Sequence, residues 1–154
     1  MAALQGSFVT GAVSLTGGTA QTVLQVVPPS NQRLKIIGVR LSFDGTNSAN
    51  TPVTVQLLRQ TTAGTFTNTS VSPVKYNEPA GVSETLQTTG QTAVTVEPTA
   101  GNILESYTVP AFGGTVIYSA PPGQEMIVPG GTRWGVKASA AQTVNMATTV
   151  IYEE

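Results

Sequence analysis

Short stretches in which apolar and polar residues alternate dominate the chain. Residues 34–45 read LKIIGVRLSFDG, and every second residue from Ile37 to Phe43 is apolar, which places these side chains on one face of an extended strand. A similar period of two runs through residues 52–60 and, near the end of the chain, from Val144 to Tyr152. This period predicts β-strands that each bury one face.

Clusters of turn-forming residues separate these stretches. Proline, glycine or asparagine recur at residues 28–31, 98–101, 113–114, 121–123 and 129–131. No long window keeps the apolar spacing of an amphipathic helix. The sequence therefore predicts an all-β fold, a jelly-roll-like antiparallel β-sandwich of about eight strands. Residues 61–91 have a weaker pattern and predict a long excursion that contains one or two short strands.

The first 32 residues contain no charged side chain. We interpret residues 1–19 as an extended N-terminal arm or edge segment, and residues 20–154 as a single β-sandwich domain. The arm is rich in small residues and by itself cannot bury enough apolar surface to become ordered. Its larger side chains need a partner, either a strand of the same sheet or a neighbouring molecule. The candidates for such a contact are Leu4, Phe8, Val9, Val13 and Leu15.

Composition narrows the classes of function. The 154 residues include no cysteine and no histidine, and 10% of them are charged, with a net charge of −1. Disulfides, thiol nucleophiles and cysteine or histidine metal sites are therefore excluded. The weak charge argues against nucleic acid and membrane partners, and no apolar run is long enough to span a bilayer. We expect a protein that is not an enzyme and that has neither a cofactor nor a metal.

Four glutamates are the remaining candidates for catalysis, because glycoside hydrolysis needs two facing carboxyl groups. They are Glu78, Glu84, Glu97 and Glu105. The chain has only eight acidic residues, and two of these are its last two residues. We therefore interpret the four as solvated loop acids or as partners of Arg59 or Lys75. Catalysis is the function that the sequence supports least.

Residues 127–140, IVPGGTRWGVKASA, predict the tip and return strand of a β-hairpin and contain the single tryptophan. Alternation places Trp134 with Val136 and Ala138 on one face, and Arg133 with Lys137 on the other. Trp134 is then a core residue, and the two cations are solvated. Alternatively, Arg133 and Trp134 form an interface anchor beside the tip, since both residue types are enriched at binding hot spots.

Three stretches of the chain together resemble a family of small β-sandwich proteins from tailed bacteriophages, the head decoration (cement) or minor capsid proteins. The stretches are TAQTVLQVVPPSNQRLKIIGVRLSFDGT, VEPTAGNILESYTV and GGTVIYSAPPGQEMIVPGGTRWGVKASAAQTVNMATTVIYEE. The resemblance covers residues 19–58 and 94–154 and rests on strand patterns and the terminal Tyr-Glu-Glu. It carries no catalytic motif.

The resemblance implies a structural virion protein that is made in the host cytoplasm and resides on the exterior of the phage head. It would bind the major capsid protein, often as a homotrimer, and would stabilise the shell by bridging capsomers. A different class of function is also open, a receptor- or glycan-binding β-sandwich of a tail fibre or baseplate. That function would use loop aromatic residues such as Tyr76, Tyr107 or Phe112.

Overall fold

The computed structural model describes residues 4–44, 51–76 and 84–154. These residues form twelve antiparallel strands, and they contain no helix that could cross a membrane. The strands are β1 (Gln5–Leu15), β2 (Ala20–Val27), β3 (Leu34–Phe43), β4 (Val53–Gln60), β5 (Thr65–Val71), β6 (Val74–Lys75), β7 (Thr89–Val96), β8 (Ala100–Val109), β9 (Thr115–Ser119), β10 (Met126–Val128), β11 (Arg133–Ser139) and β12 (Val144–Glu153).

The strands form two sheets with nested pairing. The first sheet has the order β10-β3-β12-β1-β6, with β9 also on β3, and the second has the order β5-β7-β2-β11-β4-β8. β1 pairs with β12, β2 with β11, β3 with β9 and β4 with β8, as in one long antiparallel ribbon. The ribbon is rolled up because β12 also pairs with β3 and β11 with β4. This topology is a jelly roll, which confirms the fold class expected from the sequence.

Four strands lie outside the eight of the jelly roll, so the described chain has twelve strands rather than about eight. β5, β6 and β7 come from the excursion between β4 and β8, and β10 is a three-residue strand beside β3. β5 and β7 form a pair that extends the second sheet next to β2, whereas β6 crosses to the first sheet and pairs with β1. The excursion thus contributes to both sheets.

The core lies between the two sheets and consists of the inward residues of alternating strands. Trp134, Val136 and Ala138 are buried in it, and so are the apolar residues of β12 at every second position, Val144, Met146, Val150 and Tyr152. Thr148 has the same spacing and is also buried, but it is polar. Ile37 differs from the expected pattern. Opposite Ile151 and Tyr152 the register skips one residue on β3, so Ile37 is a bulge residue and Ile36 points into the core in its place.

The N-terminal segment is an integral strand of the jelly roll. β1 pairs with β12 along its length, with one bulge between Val9 and Ala12. Phe8 is fully buried and stacks on Tyr152, with ring centroids 5.1 Å apart. The sequence left two partners open for this segment, a strand of its own sheet or a neighbouring molecule. In the structure the partner is β12 of its own sheet, so residues 5–15 do not form a separate arm.

The last residue holds the excursion in place. The carboxylate of Glu154 accepts hydrogen bonds from the backbone N–H of Gln87 at 2.7 Å and of Thr88 at 3.1 Å, and from the Thr88 hydroxyl. The backbone N–H and C=O of Glu154 also form hydrogen bonds with the backbone of Leu4. Both chain ends and the return of the excursion are thus joined at one end of the first sheet.

Candidate docking surface

The outer face of the first sheet carries an apolar band. We call this band, together with the neighbouring Ile37 and Tyr76, the open face. Its two cross-strand rows are Val74, Ser7, Ile151 and Gly38, followed by Val9, Thr149, Arg40 and Ile117. The row between them, with Phe8, Val150 and Val39, points into the core. Residues that pair directly share a face of the sheet, and neighbouring rows alternate between the two faces. Both rows therefore point outward.

A groove with a volume of about 280 Å³ lies in the open face. Ile37, Ile117, Ile151 and Tyr76 line it together with the side chain of Arg40. Ile117 is 72% exposed and Tyr76 is about half exposed, whereas Ile151 is nearly buried. The groove thus gathers large apolar side chains, some buried and some exposed, with Arg40 as the one cation among its lining residues.

Gly38 lies in the groove and keeps it open. A Cβ added to Gly38 would lie 3.5 Å from the backbone oxygen of Tyr118 and 3.6 Å from Ile151 Cδ1, which are ordinary van der Waals distances. The glycine is therefore not required by crowding. Its consequence is an empty space between apolar walls, into which a side chain of another molecule could fit.

Part of the outer face of the second sheet, over β2, β11 and β4, is covered by polar side chains, and we call this part the closed face. Gln60, at the end of β4, reaches across β11 to two residues of β2. Its Oε1 accepts a hydrogen bond from Gln25 Nε2 at 2.7 Å, and its Nε2 donates to Thr22 Oγ1 at 3.0 Å. A Cβ at Gly135 would lie 2.6 Å from Gln60 Oε1, so Gly135 makes room for the amide. All of these side chains are buried.

The whole segment between β4 and β8, residues 61–99, contributes to the closed face. Glu97, just after β7, accepts hydrogen bonds from the Thr22 backbone N–H at 2.7 Å and from its hydroxyl at 2.8 Å. Glu97 also forms an ion pair with Lys137 at 3.4 Å. Leu58, directly across from Gly135, is fully buried beneath this layer. Residues 127–140 do not form the predicted hairpin, because β10 pairs with β3 in the first sheet and β11 pairs with β2 and β4 in the second. The stretch around Trp134 instead supports the second sheet on both sides, through the tryptophan in the core and through Gly135 and Lys137 outside it.

The seven residues that the sequence singled out as partner contacts lie in different environments. Phe8, Leu15 and Trp134 are core residues, at most 1% exposed, and the structure corrects their assignment to a contact surface. Val13 is half-buried and packs against the core. Leu4 and Arg133 are partly exposed. Val9 is exposed and lies on the open face.

The three loop aromatic residues do not form one site. Tyr76 lines the groove of the open face, and Phe112 is exposed in the turn between β8 and β9. Tyr107 is half-buried and packs against the core, where burial raises its pKa, and the nearby Glu105 raises it further. Of the three, Tyr76 alone belongs to the apolar groove.

The four glutamates considered for catalysis are likewise not gathered in one place. The carboxylate of Glu97 is engaged by Thr22 and Lys137, and Glu105 lies beside Tyr107 and Tyr118. Glu84 is exposed, and Glu78 lies outside the described residues. Within the described ranges, no group of three acidic side chains is arranged to hold a metal ion.

Sequence reasoning missed the most exposed residue of the open face, although a signal was present. The tripeptide Val-Ile-Tyr occurs twice, at residues 116–118 and 150–152. In both copies the outer two residues point inward, so the central Ile117 or Ile151 must point outward. An apolar residue at an outward position of an alternating strand is the pattern that could have located this surface.

Comparison with known proteins gives fold-level similarity at most. No family model matches the chain, and no curated protein matches it. Among solved structures, the mitogen of Yersinia pseudotuberculosis is similar with 10% identity and a TM-score of 0.40, over 97% of this chain and 86% of the mitogen. VP2 of the infectious bursal disease virus subviral particle has 12% identity and a TM-score of 0.16, over 99% of this chain and 39% of VP2.

Proposed function

We propose that this chain is a structural virion protein that decorates the exterior of a tailed-phage head. It binds the major capsid protein, as a homotrimer, and stabilises the shell by bridging capsomers. The observation that carries the proposal is the group of exposed apolar side chains on the open face, Val9, Val74 and Ile117, which lie around an apolar groove. The resemblance of residues 19–58 and 94–154 to decoration proteins supports the choice of partner.

The open face suits a protein partner in its energetics. Burial of apolar surface contributes roughly 25 cal/mol per Å², so isoleucines that are exposed in the isolated molecule contribute most when a partner covers them. The two rows of the face include one charged residue, Arg40, so docking removes little charge from water. A stable interface needs about 800 Å² per partner, and many copies on one lattice add avidity.

The groove predicts how the contact is made. An apolar side chain of the capsid protein enters the space above Gly38, between Ile117 and Ile151, and Arg40 meets a polar group at the rim. The substitution Gly38→Ala adds to this space a Cβ that has ordinary contact distances. We therefore expect Gly38→Ala to fold normally and to bind heads about tenfold more weakly.

Co-sedimentation of the purified protein with emptied phage heads, and separately with tails, tests the proposal. We expect saturable binding to heads at a fixed copy number, a higher temperature of shell disruption in the presence of the protein, and no binding to tails. Binding to tails alone, or to neither structure, contradicts the proposal.

The exposed Tyr76 beside the groove favours one alternative, a glycan-binding module of a tail fibre or baseplate. Aromatic rings on a protein surface bind sugar faces as well as apolar side chains. That function predicts affinity for a bacterial surface glycan that Tyr76→Ala abolishes and that Phe112→Ala leaves unchanged. Glycan binding in the absence of head binding would replace the capsid proposal.

A further inference from the structure

A second cavity, with a volume of about 350 Å³, lies where β4 ends and β11 begins. Its walls come from the ends of these two paired strands and from the turn before β11. The lining residues are Arg59, Gln60, Thr61, Gly131, Thr132 and Arg133. The lining contains two guanidinium groups and no carboxylate. This cavity is separate from the groove of the open face, with which it shares no lining residue.

The two arginines of the cavity differ from the two lysines that form ion pairs in the described chain. Lys35 pairs with Glu153 and Lys137 pairs with Glu97. Neither Arg59 nor Arg133 forms an ion pair with any described residue. The Nε of Arg133 is buried and has no hydrogen-bond partner there. A buried donor without an acceptor is costly, and such groups commonly mark a place where a ligand supplies the acceptor.

The two arginines line one cavity from opposite faces of the sheet, at the ends of two paired strands. Arg59 lies directly across from Trp134, and Arg133 lies directly across from Gln60. The arginines are therefore diagonal neighbours on adjacent strands, with Arg59 on the core side of the sheet and Arg133 on its outer side. Both come at the end of their strands, where the sandwich opens. Gly131, with φ of 71°, forms the turn before β11 and is also part of the lining.

We propose that this cavity binds a small oxyanion, a phosphate or carboxylate group of a ligand, held between Arg59 and Arg133. Guanidinium groups bind such anions through charge-assisted, often bidentate, hydrogen bonds, and the anion supplies the acceptor that Arg133 Nε lacks. A cavity of this volume lies at the lower end of the range for small-molecule sites, about 300–1,000 Å³. The site is independent of capsid docking, and either proposal can fail alone.

The single tryptophan reports on this cavity. Trp134 is fully buried, adjacent in sequence to Arg133 and across from Arg59. Titration of the full-length protein with sodium phosphate at pH 7 is expected to change the emission of Trp134 saturably, while sodium chloride at matched ionic strength does not. A parallel titration with sodium acetate distinguishes the two anion classes, because tighter binding of one of them identifies the group that the site prefers.

The variants Arg59→Gln and Arg133→Gln are each expected to weaken phosphate binding about tenfold or more, because each removes charge-assisted hydrogen bonds. Arg33→Gln, which removes an exposed arginine outside both the cavity and the open face, is the matched control and should bind phosphate as the wild type does. Arg133→Lys keeps the charge but not the fork of donors and should fall between. Circular dichroism checks the fold of each variant.

Two results would overturn the proposal. One is the absence of saturable phosphate or acetate binding by both fluorescence and calorimetry. The other is equal binding by wild type, Arg59→Gln and Arg133→Gln, which would place any bound anion elsewhere. If Arg59→Gln fails to fold, Arg133→Gln and Arg133→Lys decide the question, since Arg133 is the partly exposed residue whose Nε lacks a partner.

Discussion

Two glycines on opposite faces of the sandwich have opposite surroundings. Gly38, on the open face, leaves a groove between apolar walls, and nothing in the described chain occupies it. Gly135, on the closed face, is covered by the amide of Gln60, which would be 2.6 Å from a Cβ at that position. Both residues lie within strands, so their backbones do not explain the difference. The space beside one glycine is part of the folded core, and the space beside the other is available to a partner.

The excursion between β4 and β8 accounts for much of this difference. It supplies Glu97 and the backbone oxygen of Thr62 to the closed face, where both accept hydrogen bonds from β2. To the open face it supplies Val74 and Tyr76, which extend the apolar band without covering it. The segment between β4 and β8 thus covers part of one face and extends the apolar band of the other.

The largest effect is expected from Gly135→Ala. The new Cβ displaces the Gln60 amide, which breaks its buried hydrogen bonds with Gln25 and Thr22. We expect a loss of about 2–4 kcal/mol in the free energy of unfolding, measured by urea denaturation. Gly38→Ala is the matched control and should be neutral or up to about 1 kcal/mol more stable. Equal losses for the two variants would remove the distinction between the faces.

A smaller effect of the same kind is expected from the two ion pairs. Glu97→Ala leaves the Thr22 donors and the mostly buried Lys137 unpaired, which should cost about 1–3 kcal/mol in unfolding free energy. Glu153→Ala removes the more exposed pair with Lys35, whose atoms are 3.9 Å apart. That loss should be within about 0.5 kcal/mol. A larger loss for Glu153→Ala than for Glu97→Ala would contradict the account of the closed face.

The sequence was sufficient to predict the local structure but not the contacts between distant segments. Alternation located the strands from Ala20 to Gln60 and from Arg133 to Glu153, because period two is a local property. The first residues read as an arm because their partner strand, β12, is at the other end of the chain. The bulge at Ile37 depends on the register with β12, which no pattern within β3 reveals.

The candidate docking surface likewise depends on contacts between distant segments. The residues of the open face come from five strands and meet only through register. Phe8, Leu15 and Trp134 are candidate partner contacts in the sequence because they are large and apolar. Residues of this kind are usually buried in the core, and all three are buried here. Ile117 was overlooked for the opposite reason, since its neighbours Val116 and Tyr118 make the whole stretch read as core.

The most direct test of the central claim compares two exposed isoleucines on different sheets. Ile117 lies on the open face and is 72% exposed, whereas Ile103 lies on β8 of the second sheet and is 52% exposed. Each is replaced by aspartate, and the affinity for emptied phage heads is measured. We expect Ile117→Asp to bind about 100-fold more weakly, because a carboxylate would be buried without a partner, and Ile103→Asp to bind as the wild type does. Wild-type affinity of Ile117→Asp, or an equal loss in both variants, would contradict docking through the open face.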